Sequence, residues 1–131
     1  MRPNKSGIGV LIENRDELTT LRAAAEVSAR HLQAGAEAIP ENRESMLGYA
    51  ALFEDLGQQL QDKLDIHELG DPNEACTLPF EDDYSASELV PFMLRTAAEH
   101  HEDPAVQERA KAMTRSYEQA IFDASMGRQS S

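Results

Sequence analysis

"AAEHHEDPA" (residues 97–105) decides how the second half of the chain folds. An apolar helical pattern runs out at the paired histidines, and a new one begins at Asp103-Pro104-Ala105. Asp is a favoured N-cap because its carboxylate accepts from the free N–H groups of a first helical turn. Pro at the first helical position sacrifices nothing, since its missing N–H has no partner there in any case. His100 and His101 then close the preceding helix, where the last carbonyls favour donors and positive charge. The stretch reads as a turn between two antiparallel helices, with His100 in line with Leu89, Met93 and Ala97 over the end of the core.

The same residues raise a metal reading, with His100, His101, Glu99 and Glu102 as candidate ligands. Spacing argues against it. Carboxylate-bridged metal sites in helical bundles use Glu-x-x-His. Three positions before His31, His67, His100 and His101 stand Ser28, Leu64, Ala97 and Ala98, none of them acidic. The His-Glu-x-x-His pattern of zinc proteases is absent as well. No metal and no cofactor is expected.

Working outward, helix three is expected from about Ser85–Ser87. Ser87 is the better N-cap because Pro91 is tolerated only near a helix start. Leu89, Val90, Met93, Leu94 and Ala97 form its inner face. Helix four carries Val106, Ala110, Met113, Tyr117, Ala120, Ile121 and Ala124 on one stripe, with Phe122 and Met126 on the other side.

The first half repeats the hairpin device. Asn14 with Glu17 three residues on is a capping pattern. Leu18, Leu21, Ala25, Ser28, Leu32, Gly35 and Ile39 then follow at spacings of three and four, and Ala23, Val27, Ala34 and Ala38 form a second, small-residue face. Pro40 ends this helix and opens the next. Helix two runs to about Asp65, with Met46, Tyr49, Phe53, Leu56, Leu60 and Leu64 expected in the core. The short join makes the two helices antiparallel neighbours.

The expected fold is therefore all-α: four main helices as two antiparallel hairpins, bundle-like, with a long acidic loop between them. An N-terminal arm (1–13) precedes a single helical domain (14–126), and a flexible tail (127–131) follows. The domain divides into hairpin 14–65, acidic connection 66–86 and hairpin 87–126. The arm's "GIGVLI" is more apolar than a free tail needs, so it docks on the body, adds to a partner or extends the first helix. Its charged, Pro-containing start is expected to be mobile. In the connection, "GDPN" is turn chemistry, "TLPF" an apolar plug and "EDDY" an acidic tip.

Composition agrees. The chain has 131 residues, 5% aromatics and no Trp, which favours helices over strands. Its single cysteine, Cys76, precludes an intrachain disulfide and is expected in a loop. The apolar run Gly7–Ile12 is too short for a signal core, and no stretch could span a bilayer, so a cytoplasmic protein is expected. Nine Arg against three Lys suggest a GC-rich bacterial source. The net charge of −12 is uneven, because residues 67–103 hold ten acids against one base, Arg95. Direct binding of nucleic acid or an anionic membrane is disfavoured, and a basic partner is allowed.

There is no phosphate-binding glycine loop and no nucleophile elbow. Nor does the sequence place a carboxyl in a cleft for acid–base work. No catalytic residue is expected. The leading expectation is a non-enzymatic protein–protein interaction module (adaptor, regulator or inhibitor) acting through helix faces and the acidic loop, with a homodimer compatible. Its partner-binding candidates are Phe80, Glu81, Asp82, Asp83, Phe122 and Met126. Two alternatives are an acidic mimic that blocks a DNA- or RNA-binding protein, and a metal- or ligand-binding bundle.

Overall fold

The computed structural model describes residues 2–3, 10–67, 76–78 and 83–129. The fold is the expected bundle of four helices: α1 (Arg15–Ala38), α2 (Arg43–His67), α3 (Asp83–His100) and α4 (Pro104–Gln129). α1 lies along α2 to make one hairpin, and α3 lies along α4 to make the other. α1 is also the element that joins them, since it packs on α3 and α4 as well.

The caps form where local chemistry requires them. The Asn14 side chain accepts from the Glu17 N–H at 2.9 Å, and Glu17 Oε1 accepts from the Glu13 N–H at 2.9 Å. Two backbone donors outside the helical ladder are thereby satisfied. At the other end of α1, the Ile39 N–H donates to the Gly35 carbonyl at 2.9 Å. Pro40–Asn42 then turn as a short 3-10 segment into α2. Gly35 lets this hairpin close, because a Cβ there would stand 3.2 Å from Met46 Sδ.

One core cluster runs through all four helices. It takes Leu18, Leu21 and Ala25 from α1 and Phe53, Leu56 and Leu60 from α2. α3 gives Val90, Met93, Leu94 and Ala97, and α4 gives Ala110, Met113 and Tyr117.

The arm docks on the body as a strand. β1 (Arg2–Pro3), β2 (Val10–Ile12) and β3 (Cys76–Leu78) form an antiparallel sheet in the order β1-β2-β3, with Val10 opposite Leu78 and Ile12 opposite Cys76. Val10 and Ile12 are fully buried and join the core cluster. Their two-residue spacing puts both on one face of the strand, which accounts for the apolar Val10 and Ile12 of that run. Arg2–Pro3 pair with Val10–Leu11, whereas a mobile start was expected.

Four further expectations need correction. Cys76 lies in strand β3, not in a loop, because the connection returns to pair with β2. α3 begins at Asp83, ahead of Ser85–Ser87, so Pro91 falls inside the helix. Pro91 has no N–H to give the Ser87 carbonyl, but it is buried on the inner side of α3. Tyr49, expected in the core, is 54% exposed; Ala50 and Phe53 occupy the inner face at that level. Of the expected second face of α1, Val27 is buried and Ala23 half-buried, but Ala34 and Ala38 are exposed; Ala24, Ala29 and Ala36 are the further small residues that α1 buries.

Candidate functional site

The histidine corner is built from backbone hydrogen bonds. The His101 N–H donates to the Ala97 carbonyl at 3.0 Å and ends α3. The Asp103 N–H donates to His101 Nδ1 at 3.0 Å, and Asp103 Oδ1 accepts from the Ala105 N–H at 2.9 Å. Gln107 Nε2 returns to the His101 carbonyl at 2.6 Å. Each of these bonds satisfies an end group of one of the two helices. His101 Nδ1 is committed as an acceptor and Asp103 as a cap, so both are occupied by the turn itself.

His100 does something different. Its ring stacks on His31 of α1, with centroids 4.6 Å apart and planes at 22°. A stack of this kind offers ring faces to each other and does not converge two nitrogens on one ion. His100 Nε2 also lies 3.8 Å from the neighbouring Glu99 carboxylate, and Glu102 is exposed. Among the described residues, no group of three or more His, Cys, Asp or Glu side chains is placed to hold a metal ion.

Of the partner-binding candidates, Phe122 stands on α4 with 58% of its surface exposed. Phe80, Glu81 and Asp82 lie outside the described residues. Asp83 and Met126 belong to the backbones of α3 and α4, and their side chains lie outside what is described.

The more informative surface was not singled out from the sequence. α1 runs between α2 and α3, which leaves a groove over α1 with these two helices as its walls. The groove holds about 350 Å³ and is lined by Leu32, Tyr49, Leu52, Phe53, Leu89 and Phe92, with Glu88 at its edge. The Phe53 and Phe92 rings bridge α2 and α3, stacked at 5.5 Å. Tyr49, Leu52 and Phe92 stay between 38% and 54% exposed.

Over the outer side of α3 the surface continues into a broader depression. Its edges include Phe92, Arg95, Glu99, Glu118 and Ile121. Phe122 lies one helical turn beyond Glu118, hence on the same side of α4. A signal was present in "ALFEDL" (residues 51–56): adjacent Leu52 and Phe53 cannot both face inward on one helix.

Comparison with protein-family models, with curated proteins and with solved structures finds no match for this chain. Among the described residues, no helix is long and apolar enough to cross a membrane.

Proposed function

We propose that the chain is a non-enzymatic protein–protein interaction module, an adaptor, regulator or inhibitor that works through exposed helix faces. The observation that carries this reading is the apolar groove lined by Tyr49 and Leu52 on α2 and Phe92 on α3, all partly exposed, with Phe122 a further exposed aromatic on α4. A scattered exposed Leu needs no explanation, whereas large apolar side chains grouped along a groove mark interaction surfaces. Tyr and Phe are also the kinds of residue that dominate interface energetics when buried. The two acids of α3 whose side chains are described form no regular row of charge of the kind a nucleic-acid mimic needs. Glu88 and Glu99 stand about 16 Å apart along the helix by its rise, with Phe92 and Arg95 between them.

Capture from the native host's lysate, washed in parallel at low and high salt, tests the reading. Charges are screened within about 10 Å at 0.1 M salt, so an apolar contact survives the high-salt wash. The expected result is a partner retained at high salt and lost with Leu52→Asp or Phe122→Asp, both at exposed positions. A partner released by salt and unaffected by both variants would replace this reading with electrostatic mimicry.

A further inference from the structure

We infer that the groove between α2 and α3 receives a basic amphipathic helix of another protein; the inference rests on the interaction-module reading above. Among the described residues, no helix occupies the groove between α2 and α3. Its walls are two helices and its floor is Leu32 of a third. An occupant helix would complete the packing by laying apolar residues at three- and four-residue spacings into it.

The α2 wall carries a second sign of a helical occupant. Ser45, Gly48, Tyr49 and Leu52 share one side of α2 at spacings of three and four, and all are exposed. Gly in a helix interior is unfavourable by about 1 kcal/mol relative to Ala. Nothing among the described residues requires it at position 48, because a Cβ there would meet none of them within 4 Å. Ser45 and Gly48 stand beside the groove's own lining, next to Tyr49 and Leu52, where small side chains let another backbone approach closely.

Charge selects the occupant. Glu88 edges the groove, and Glu88, Glu99 and Glu118 border the adjoining depression against one guanidinium, Arg95. Arg95 is already engaged, donating to Glu118 at 2.9 Å. His31 and His100 also line that depression, and Glu99 lies 3.8 Å from His100 Nε2; the groove itself is thus left with the carboxylate of Glu88, on a chain of net charge −12. A second copy would bring the same acids against each other, and like charges facing across an interface oppose association. A helix with Lys or Arg beside its apolar ridge meets both features.

The test is selection from a displayed library of helical peptides, randomised at all outward positions, on the immobilised full chain. Enriched peptides are expected to share apolar residues at three- and four-residue spacings, flanked by Lys or Arg. The best peptide, measured by fluorescence anisotropy, should bind Leu52→Asp at least about tenfold more weakly, as for a central apolar contact. It should bind Glu88→Lys about threefold more weakly, as for an exposed charge. Replacing the peptide's facing base by Glu should restore that loss. Both substituted side chains are exposed, and far-UV circular dichroism checks that the helices persist.

Enrichment of neutral or acidic helices would overturn the charge assignment and leave the module reading intact. Peptides that bind Leu52→Asp as well as the parent would overturn the groove as the site. A parent that sediments as a dimer which Leu52→Asp dissolves would assign the groove to a second copy instead. Absence of any enriched helix, with a lysate partner still captured, would overturn helical docking alone. Absence of both would overturn the module reading itself.

Discussion

The two halves of the α1 stripe carry similar residues and meet different neighbours. Leu18, Leu21, Ala25 and Ser28 are completely or almost completely buried. Leu32 and Gly35 are only half-buried, and Ile39 is 43% exposed. The first half lies under the arm, α2, α3 and α4, whose side chains join it in one cluster. In the second half, Leu32 forms the floor of the groove between α2 and α3, and Gly35 lies against Met46. An apolar stripe that outlasts the cover the described residues give it shows that periodicity encodes a buried face without encoding what buries it.

The largest expected contrast comes from truncating one leucine in each half. Leu21 is fully enclosed, so Leu21→Ala removes buried methyl groups and leaves a cavity; the expected loss is about 3 kcal/mol. Leu32→Ala, at the open end, should cost less than about 1.5 kcal/mol, because solvent already reaches part of that side chain. Urea unfolding of both variants measures the difference. Equal losses would mean that the second half is as well covered as the first, and the groove would cease to be an open site.

The same division explains what could be read from the sequence. Asn14, Asp103 and Pro104 were legible because a cap depends on the chemistry of a few consecutive residues. The hairpins were legible because short joins force neighbouring helices together. Tyr49 shares its helical line with Met46 and Phe53, yet among the described residues no helix covers it. The pairing of Val10 with Leu78 was invisible because it joins residues far apart in sequence, and strand pairing is decided by such distant partners. Pro91 misled in a different way. A local rule placed the start of α3 after Asp83, and the buried position of the ring overrode it.

At the junction of the two halves sits Ser28, fully buried, with no hydrogen-bond partner for its hydroxyl among the described residues. An unsatisfied buried hydroxyl costs on the order of 1–3 kcal/mol, and Ala is the better helix former. Ser28→Ala is therefore expected to raise stability by about 1 kcal/mol, seen as a higher urea midpoint with an unchanged slope. A lower midpoint would show that the hydroxyl is satisfied in solution, and that the junction is more open than its burial indicates.

The smallest effect on stability is the most specific to the open half. Gly48 and Gly57 are both interior glycines of α2, on opposite sides of the helix. A Cβ at Gly57 would touch Ala25 at an ordinary 3.7 Å, while one at Gly48 would meet nothing. Both Gly→Ala substitutions are therefore accommodated, and each should stabilise the free chain by roughly 0.5–1 kcal/mol through helix propensity. Binding separates them. Gly57→Ala acts inside the hairpin and should leave capture of a helical peptide unchanged. Gly48→Ala adds a methyl to the wall that an incoming backbone approaches, so it should weaken capture while the chain itself becomes more stable. Unchanged affinity in both variants would mean that the occupant rests on Leu52 and Phe92 without approaching the α2 backbone, and the close-packed arrangement would have to be abandoned.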